Sequence, residues 1–108
     1  MKLYEFERAN GTGFNFVFEH NLLPGETIYI RMPAVSANKR GINDIGWLTD
    51  GSKETFRLWG SLAKNPFADN AIWQEIQEND EINKVTAFLK VENKDTVSRR
   101  IEMRAIFY

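Results

Sequence analysis

Alternation of large apolar residues with other residues is clearest in the segment FNFVFE, residues 14–19. Phe14, Phe16 and Phe18 fall on one side of an extended chain, because successive side chains of a strand point to opposite faces. The segment therefore predicts a β-strand with one face in the core. We expect all three phenylalanines to be buried, since a register slip of one residue would expose them together.

The same period of two recurs along most of the chain. It is visible in residues 2–9, 28–32, 45–49, 56–62, 85–91 and 97–107. Turn-forming residues separate these segments at 10–13, 24–25, 50–53 and 93–96. Residues 34–44 and 65–70 have no period and are predicted to be loops. The sequence thus predicts one all-β domain over residues 1–108, an antiparallel β-sandwich of jelly-roll-like type with about seven or eight short strands.

Residues 71–84 allow two interpretations. Ile72, Trp73 and Ile76 fit one face of a helix that Asn70 would cap, and the same three residues fit a short strand. A helix through residue 84 would have to include several weak helix formers, whereas a strand needs only about five or six residues. The strand is the preferred interpretation, and the helix is left open.

Composition excludes several classes of function. The 108 residues include 14 basic and 15 acidic side chains, so no net charge attracts nucleic acid or an anionic membrane. The chain has no cysteine and a single histidine, which excludes thiol catalysis, disulfides and metal sites built on cysteines or on two histidines. No apolar run has the length of a membrane-spanning helix, and no signal peptide is visible. We expect neither nucleic acid nor a membrane as a partner.

Catalytic and metal-binding motifs give no candidate site. No glycine-rich segment matches a nucleotide-binding fingerprint, since Gly11 and Gly13 lie in a turn between two predicted strands. The acidic residues of segment 75–81 lack the glycine and the spacing of a calcium loop, which favours a solvated loop. His20 is predicted to lie in a surface turn at the end of a strand. We therefore expect no enzyme activity, no catalytic residue, no metal and no cofactor.

Five large apolar residues lie out of phase with the predicted core. They are Tyr29, Trp59, Phe88, Ile106 and Tyr108. Large apolar side chains on a face that is predicted to be exposed to solvent indicate that another group contacts them. The contact is within the same chain, through a loop such as 34–44 or 63–70 or through pairing across strands, or with a second subunit, or with a sugar ring stacked on the aromatic side chains. We treat the five residues as a candidate interface or ligand platform.

Three segments in the second half of the chain form a further pattern. Residues 54–62 read ETFRLWGSL, residues 71–76 read AIWQEI, and the last strand contains Arg104 and Ala105. Over residues 54–108 the chain resembles small phage virion proteins of the decoration or head-fibre kind, and it is similar to discoidin-type and jelly-roll carbohydrate-binding modules. The resemblance implies a non-enzymatic β-sandwich in which Gly60 lets strands approach closely and Trp73 caps the end of the core.

These observations together predict a structural or assembly module. We expect a symmetric homo-oligomer that associates with other virion or particle proteins. Its expected location is a virion or the extracellular space, with assembly in the cytoplasm left open. The alternative is a carbohydrate-binding adhesion module. The two functions differ in what the outward aromatic residues contact, which is a protein chain in the first case and a glycan in the second.

Overall fold

The computed structural model describes residues 2–11, 13–33, 44–77, 81–82 and 86–106, and the regular structure within them is almost entirely β-strand. In these residues the one exception is a 3-10 turn at Lys53–Thr55. The strands are β1 (Leu3–Glu5), β2 (Glu7–Gly11), β3 (Phe14–Leu22), β4 (Thr27–Arg31), β5 (Asp44–Thr49), β6 (Phe56–Ser61), β7 (Gln74–Ile76), β8 (Glu81–Ile82), β9 (Phe88–Asn93) and β10 (Arg99–Ile106). The all-β prediction is confirmed.

The strands form two five-stranded sheets. Sheet A has the order β1-β4-β9-β6-β7, and sheet B has the order β2-β3-β10-β5-β8. Partners are nested along the chain: β3 pairs with β10, β4 with β9, β5 with β8 and β6 with β7, all antiparallel. A long antiparallel ribbon of eight strands folded over into two sheets is a jelly roll. The predicted jelly-roll-like sandwich is therefore confirmed.

The N-terminal segment adds one edge strand to each sheet, so the described residues form ten strands rather than about seven or eight. Residues 2–9 alternate as one strand would, but the chain changes sheets at Phe6. β1 pairs with β4 in parallel, and β2 pairs with β3. The Phe6 ring lies between the sheets, with its centroid 5.8 Å from that of Phe18. The alternation of residues 2–9 does not show that the chain changes sheets, because the Phe6 side chain points into the core whichever sheet it belongs to.

The core lies between the sheets and takes the inward residues of both. Its buried members include Phe18, Leu22, Ile28, Ile30, Ile45, Trp47, Phe56, Leu58, Leu89, Val91, Ile101 and Met103. Phe14 and Phe16 are only half-buried, so the prediction that all three phenylalanines of β3 are buried is wrong for these two. Within the described residues, pairing of β3 with β10 covers residues 16–22, and Phe14 pairs with Gly11. The buried residues of β3 are Phe18 and Leu22, in its second half, and Phe14 and Phe16 precede them.

Segment 71–84 contains strands rather than a helix. Gln74–Ile76 form β7 and Glu81–Ile82 form β8, and the described residues of this segment contain no helix. The strand interpretation is therefore confirmed for Ile76, whereas Ile72 and Trp73 lie before β7. Residues 78–80 and 83–85 lie outside the described residues, as does the predicted loop 34–44 apart from Asp44, the first residue of β5.

Two predicted turns contain the glycines that they require. Gly13 precedes β3 with a φ of 81°, and Gly25 lies between β3 and β4 with a φ of 74°. Residues with a side chain rarely adopt this left-handed region, whereas glycine adopts it without strain. These glycines therefore allow the reversals that bring β2 and β4 next to their partners.

One end of the sandwich is held by the buried side chain of Asn93. Its Nδ2 lies 3.1, 3.2 and 3.0 Å from the carbonyl oxygens of Leu22, Leu23 and Val97. Its Oδ1 accepts a hydrogen bond of 2.9 Å from the backbone N–H of Asp95. A buried amide must be paired in this way to offset its lost hydration. The side chain thus joins the β3–β4 turn to the β9–β10 turn.

Candidate functional site

The five residues of the predicted platform do not share one surface. Tyr29 and Trp59 lie on the outer face of sheet A, in one row across the strands with Lys90 between them. Ile106 lies on the outer face of sheet B, and Tyr108 lies outside the described residues. The structure therefore brings Tyr29 and Trp59 together and separates both from Ile106.

Phe88 is buried although its phase points it away from the core. It is 7% exposed, and Ser61, its partner in the register with β6, is 4% exposed. The connection between β6 and β7, residues 62–73, returns over this side of sheet A, since two of its aromatic rings contact Tyr29. Coverage by a loop of the same chain, one of the three predicted explanations, thus accounts for part of the outward aromatic surface.

An aromatic cluster occupies the centre of this face and consists of Tyr29, Trp59, Phe67 and Trp73 around Lys90. The ring centroid of Tyr29 lies 5.0 Å from that of Phe67, edge-on, and 5.7 Å from that of Trp73. Both geometries are favourable for aromatic pairs. The expectation that Trp73 caps the end of the core is wrong, because the 62–73 connection carries this indole onto the outer face.

Lys90 places its ammonium between the two indoles of the aromatic cluster. Its Nζ lies 4.5 Å from the ring centroid of Trp59 and 4.8 Å from that of Trp73. The guanidinium of Arg57 lies 4.7 Å from the same Trp59 ring. Burial lowers the pKa of Lys90, an effect that Glu92 opposes and Arg57 reinforces. These cation–π contacts cover part of the Trp59 ring with charged groups.

An ion pair borders the aromatic cluster on the β7 side. The Nε of Arg57 donates to Oε2 of Glu75 at 3.0 Å, and a terminal nitrogen of the same guanidinium also contacts this oxygen. The hydrogen bond from Arg57 holds the pKa of Glu75 below its ordinary value, against the opposing effect of burial. Glu75 pairs with Trp59 in the register, so the row of alternating aromatic and charged groups continues to the sheet edge.

An apolar cleft of about 610 Å³ lies between β6, β7 and the 62–73 connection, and its lining includes none of the five residues of the aromatic cluster. Its walls include Leu62, Ala63, Ala71, Ile72, Ile76 and Thr86. Leu62 and Ile72 are 71% and 75% exposed, the highest values for large hydrophobic residues in the described part of the chain. An apolar cleft that exposes two aliphatic side chains of its own lining is suited to contact with another apolar surface.

Gly60 forms part of the cleft wall by allowing close packing. A Cβ at this position would lie 3.0 Å from Oγ1 and 3.3 Å from Cβ of Thr86. The buried hydroxyl of Thr86 donates a hydrogen bond of 2.9 Å to the carbonyl oxygen of Ser61. The close approach at Gly60 is therefore to Thr86, which precedes β9, and not to a neighbouring strand.

The sequence pattern did not predict that Leu62, Ile72 and Phe67 form part of the surface. Leu62 is in phase with the core residues of β6, so nothing in the sequence shows that the strand ends at Ser61. Phe67 offered a signal, since it is a large aromatic residue inside a predicted loop. A ring in such a position needs a surface to pack on, and Tyr29 supplies it.

The prediction for His20 concerns sheet B, away from the aromatic cluster and the apolar cleft. His20 lies inside β3, half-buried, with its ring 4.6 Å from that of Tyr4, so the surface-turn prediction is wrong. β3 continues beyond His20 to Leu22, and the turn follows at Pro24 and Gly25.

The described residues contain no group of three or more histidine or acidic side chains placed to hold a metal ion. In the same residues we find no helix with the length and apolarity needed to span a bilayer.

Comparisons of the chain with protein-family models, with curated proteins and with solved structures give no match. The aromatic cluster and the apolar cleft, both on the sheet A side, are therefore the features from which a function is inferred. Their chemistry suits the binding of another surface, since it combines aromatic, aliphatic and cationic groups.

Proposed function

We propose that the protein is a non-enzymatic assembly module that forms a symmetric homo-oligomer as a component of a virion or a comparable particle. The observation that carries the proposal is the pair of aliphatic side chains, Leu62 and Ile72, exposed at 71% and 75% on the rim of the apolar cleft. Leaving both in water is unfavourable, and burial against a partner removes that cost.

A second copy of the chain is a suitable partner for this surface. The protruding side chains and the apolar cleft lie next to each other on one molecule. In a two-fold contact each copy supplies the side chains that enter the cleft of the other, and the contact closes without leaving a free surface.

The virion part of the proposal is supported by the fold and by the resemblance of residues 54–108. Jelly rolls are common among viral capsid domains, although they also occur in lectins and other proteins. Fold alone does not define function. The assignment to a particle therefore depends on whether the protein assembles, which is the property to test first.

Carbohydrate binding is the second candidate, and the observation that favours it is the half-buried indole of Trp59. A sugar that stacks on this ring must displace Lys90 or Arg57, whose charged groups lie 4.5 and 4.7 Å from the ring centroid. The exposed aliphatic residues have no role in such a site. This function ranks below assembly for these two reasons.

Light scattering on three proteins tests the proposal. Wild type is expected to be an oligomer, and the double variant Leu62→Ser with Ile72→Ser a folded monomer. Each substitution should weaken association by roughly tenfold or more, as truncation of a central interface residue does. The matched control is Leu48→Ser, which changes a residue 60% exposed on the outer face of sheet B and should leave the oligomer intact.

A wild type that stays monomeric at all concentrations would contradict the proposal, as would a double variant that associates like wild type. Because the substituted side chains are exposed, the melting temperature of the isolated subunit should change little. A glycan array probed with wild type and with Trp59→Ser tests the second candidate. Glycan retention that disappears in Trp59→Ser while the oligomeric state is unchanged would favour carbohydrate binding.

A further inference from the structure

Two turns at one end of the sandwich expose aliphatic side chains to solvent. Leu23, between β3 and β4, is 64% exposed, and Val97, between β9 and β10, is 47% exposed. The antiparallel ladder of β3 and β10 ends at the pair Leu22 and Arg99, so Leu23 and Val97 lie one and two positions beyond the same end of that ladder. We call the two turns, residues 23–26 and 94–98, the turn tip.

Hydrogen bonds hold the backbone of the turn tip in place. The Asn93 side chain joins the two turns through the carbonyl oxygens of Leu23 and Val97. The backbone N–H of Gly25 donates a hydrogen bond of 2.9 Å to the carbonyl oxygen of Asn93, and that of Leu23 donates to a carboxylate oxygen of Glu26 at 2.8 Å. A surface that is already ordered before it binds loses little conformational entropy on association.

The aliphatic side chains of the turn tip are not needed to form the turns. Turns favour glycine, proline, asparagine, aspartate and serine, whose backbone preferences or short polar side chains stabilise the reversal. Leu23 and Val97 contribute hydrogen bonds through their backbone groups, while their side chains remain largely in water. Neighbouring aliphatic residues that are exposed without a role in the fold indicate a contact surface.

The turn tip lies at the opposite end of sheet A from the apolar cleft. Phe88, the first residue of β9, pairs with Ser61 of the cleft wall, whereas Asn93, the last residue of β9, bonds both turns of the tip. A strand of six residues at about 3.3 Å per residue separates its ends by roughly 17–20 Å. The two surfaces are therefore separate.

The two turns of the tip carry charges of opposite sign. Glu26 lies in the first turn, and the exposed Lys94 lies in the second. The Lys94 ammonium acts electrostatically on Glu75, but Glu75 forms its ion pair with Arg57. In a crosswise two-fold contact the first turn of each copy faces the second turn of the other, so Glu26 of each copy lies opposite Lys94 of the other. The charges of the turn tip are thus complementary to those of a second copy.

We propose that the turn tip is a second self-association surface, through which dimers formed at the apolar cleft join into larger assemblies. The inference rests on the proposed function, since a two-fold contact at the cleft stops at a dimer and a particle component needs a further contact. Leu23 and Val97 of one copy pack against those of the other, with Glu26 and Lys94 paired on either side. The turn tip contributes two aliphatic side chains and the cleft its whole lining, so the tip contact is the weaker one and forms at higher protein concentration.

Sedimentation velocity over a range of protein concentrations tests this surface. Wild type should form a dimer first and species larger than a dimer at higher concentration. The double variant Leu23→Ser with Val97→Ser should stop at the dimer, with the Kd of the second step raised about tenfold or more. Leu48→Ser is the matched control, since it changes a leucine of similar exposure on the outer face of sheet B and should assemble like wild type.

A charge reversal tests the same contact and leaves its aliphatic residues in place. Lys94→Glu places like charges opposite each other, so the larger species should require about tenfold more protein at low salt. Added salt should reduce this difference, because it screens exposed charges. The dimer formed at the cleft should be unchanged, since Lys94 is not part of the cleft lining.

The outcomes separate the turn-tip contact from the proposed function. A wild type that forms a dimer and nothing larger overturns the turn-tip contact and leaves assembly through the cleft intact. Larger species that form equally well in wild type and in Leu23→Ser with Val97→Ser also overturn it, since another surface then joins the dimers. A wild type that stays monomeric contradicts both.

Discussion

The outer faces of the two sheets are built from different kinds of residue. The outer face of sheet A carries four aromatic rings clustered around Lys90, with one ion pair at its edge. The outer face of sheet B carries mainly ion pairs between partly exposed side chains, and the guanidinium of Arg104 also packs on Phe14. On sheet B, Arg100 lies 2.7 Å from Glu19, and Arg104 lies 2.7 Å from Glu102. Both faces come from strands with the same alternation. The outward position of a residue in a strand therefore does not show whether it contacts water.

The path of one connection explains this difference. Residues 62–73 return over sheet A, where Phe67 and Trp73 pack on Tyr29. The described residues contain no comparable connection over the ion pairs of sheet B. Exposed ion pairs gain little, since water already solvates the separate charges. We therefore expect substitutions on the sheet A face to have larger effects than substitutions on the sheet B face.

The largest effect is expected in the core that both faces cover. Phe18→Ala should lower the free energy of unfolding by about 3–5 kcal/mol, since it empties a fully buried site. Phe16→Ala, at a half-buried site of the same strand, should cost clearly less, about 1–3 kcal/mol. Urea unfolding of the two variants measures the difference. Equal losses would show that the core extends further along β3 than the structure indicates.

Removal of the central ring of the aromatic cluster should have the next largest effect. Tyr29→Ala loses two aromatic contacts and part of the support of the 62–73 connection, which should cost about 1–3 kcal/mol. Leu48→Ala, on the face of sheet B, should cost about 0.5 kcal/mol or less. Urea unfolding gives both values, and hydrogen exchange should show faster opening of residues 62–73 in Tyr29→Ala only. Similar losses of unfolding free energy in the two variants would show that the outer faces of the two sheets do not differ in what their side chains contribute to stability.

The ion pair between Arg100 and Glu19 should contribute little to stability. A double-mutant cycle with Arg100→Gln and Glu19→Gln should give a coupling energy below about 1 kcal/mol, because the two side chains are 43% and 47% exposed. The coupling should fall further when salt is added. A larger, salt-independent coupling would indicate that this face is covered by a partner.

The smallest effect is expected from the carboxylate of Glu75. Its pKa in the folded state lies below the ordinary value of 4.5, so its ion pair stabilises the fold above that pH. The contribution is lost as the pH falls below 4.5 and through the lowered folded-state pKa. Melting temperatures measured from neutral pH downward should therefore decline slightly less in Glu75→Gln than in wild type. Identical declines would show that the ion pair with Arg57 is not maintained in solution.

Much of the fold was predictable because it follows from local alternation and turn residues. The strands at β3, β4, β6, β9 and β10 and the turns at Gly13 and Gly25 come from such short-range signals. The crossing at Phe6 was not predictable, since it depends on which sheet has a free edge. The half-burial of Phe14 and Phe16 was not predictable either, because local alternation does not show how far along a strand the core extends.

The candidate site was predictable only in part. Tyr29 and Trp59 were identified from their phase, and the structure places them in one row across Lys90. Trp73 was assigned to the end of the core, and Leu62 to the core phase of a strand. Both positions are set by the direction in which the 62–73 connection leaves β6, which no local periodicity encodes.

Assembly through the apolar cleft is tested most directly by introducing single cysteines and measuring the rate at which they react with a maleimide. The chain has no cysteine of its own, so Ile72→Cys and Leu48→Cys each give one reactive thiol, on the rim of the apolar cleft and on the face of sheet B respectively. If the cleft is buried between copies, Ile72→Cys should react more slowly as the protein concentration rises, in proportion to the oligomer seen by light scattering. Leu48→Cys should react at one rate throughout. Equal rates for Ile72→Cys in the oligomer and in the dilute protein would contradict assembly through this surface.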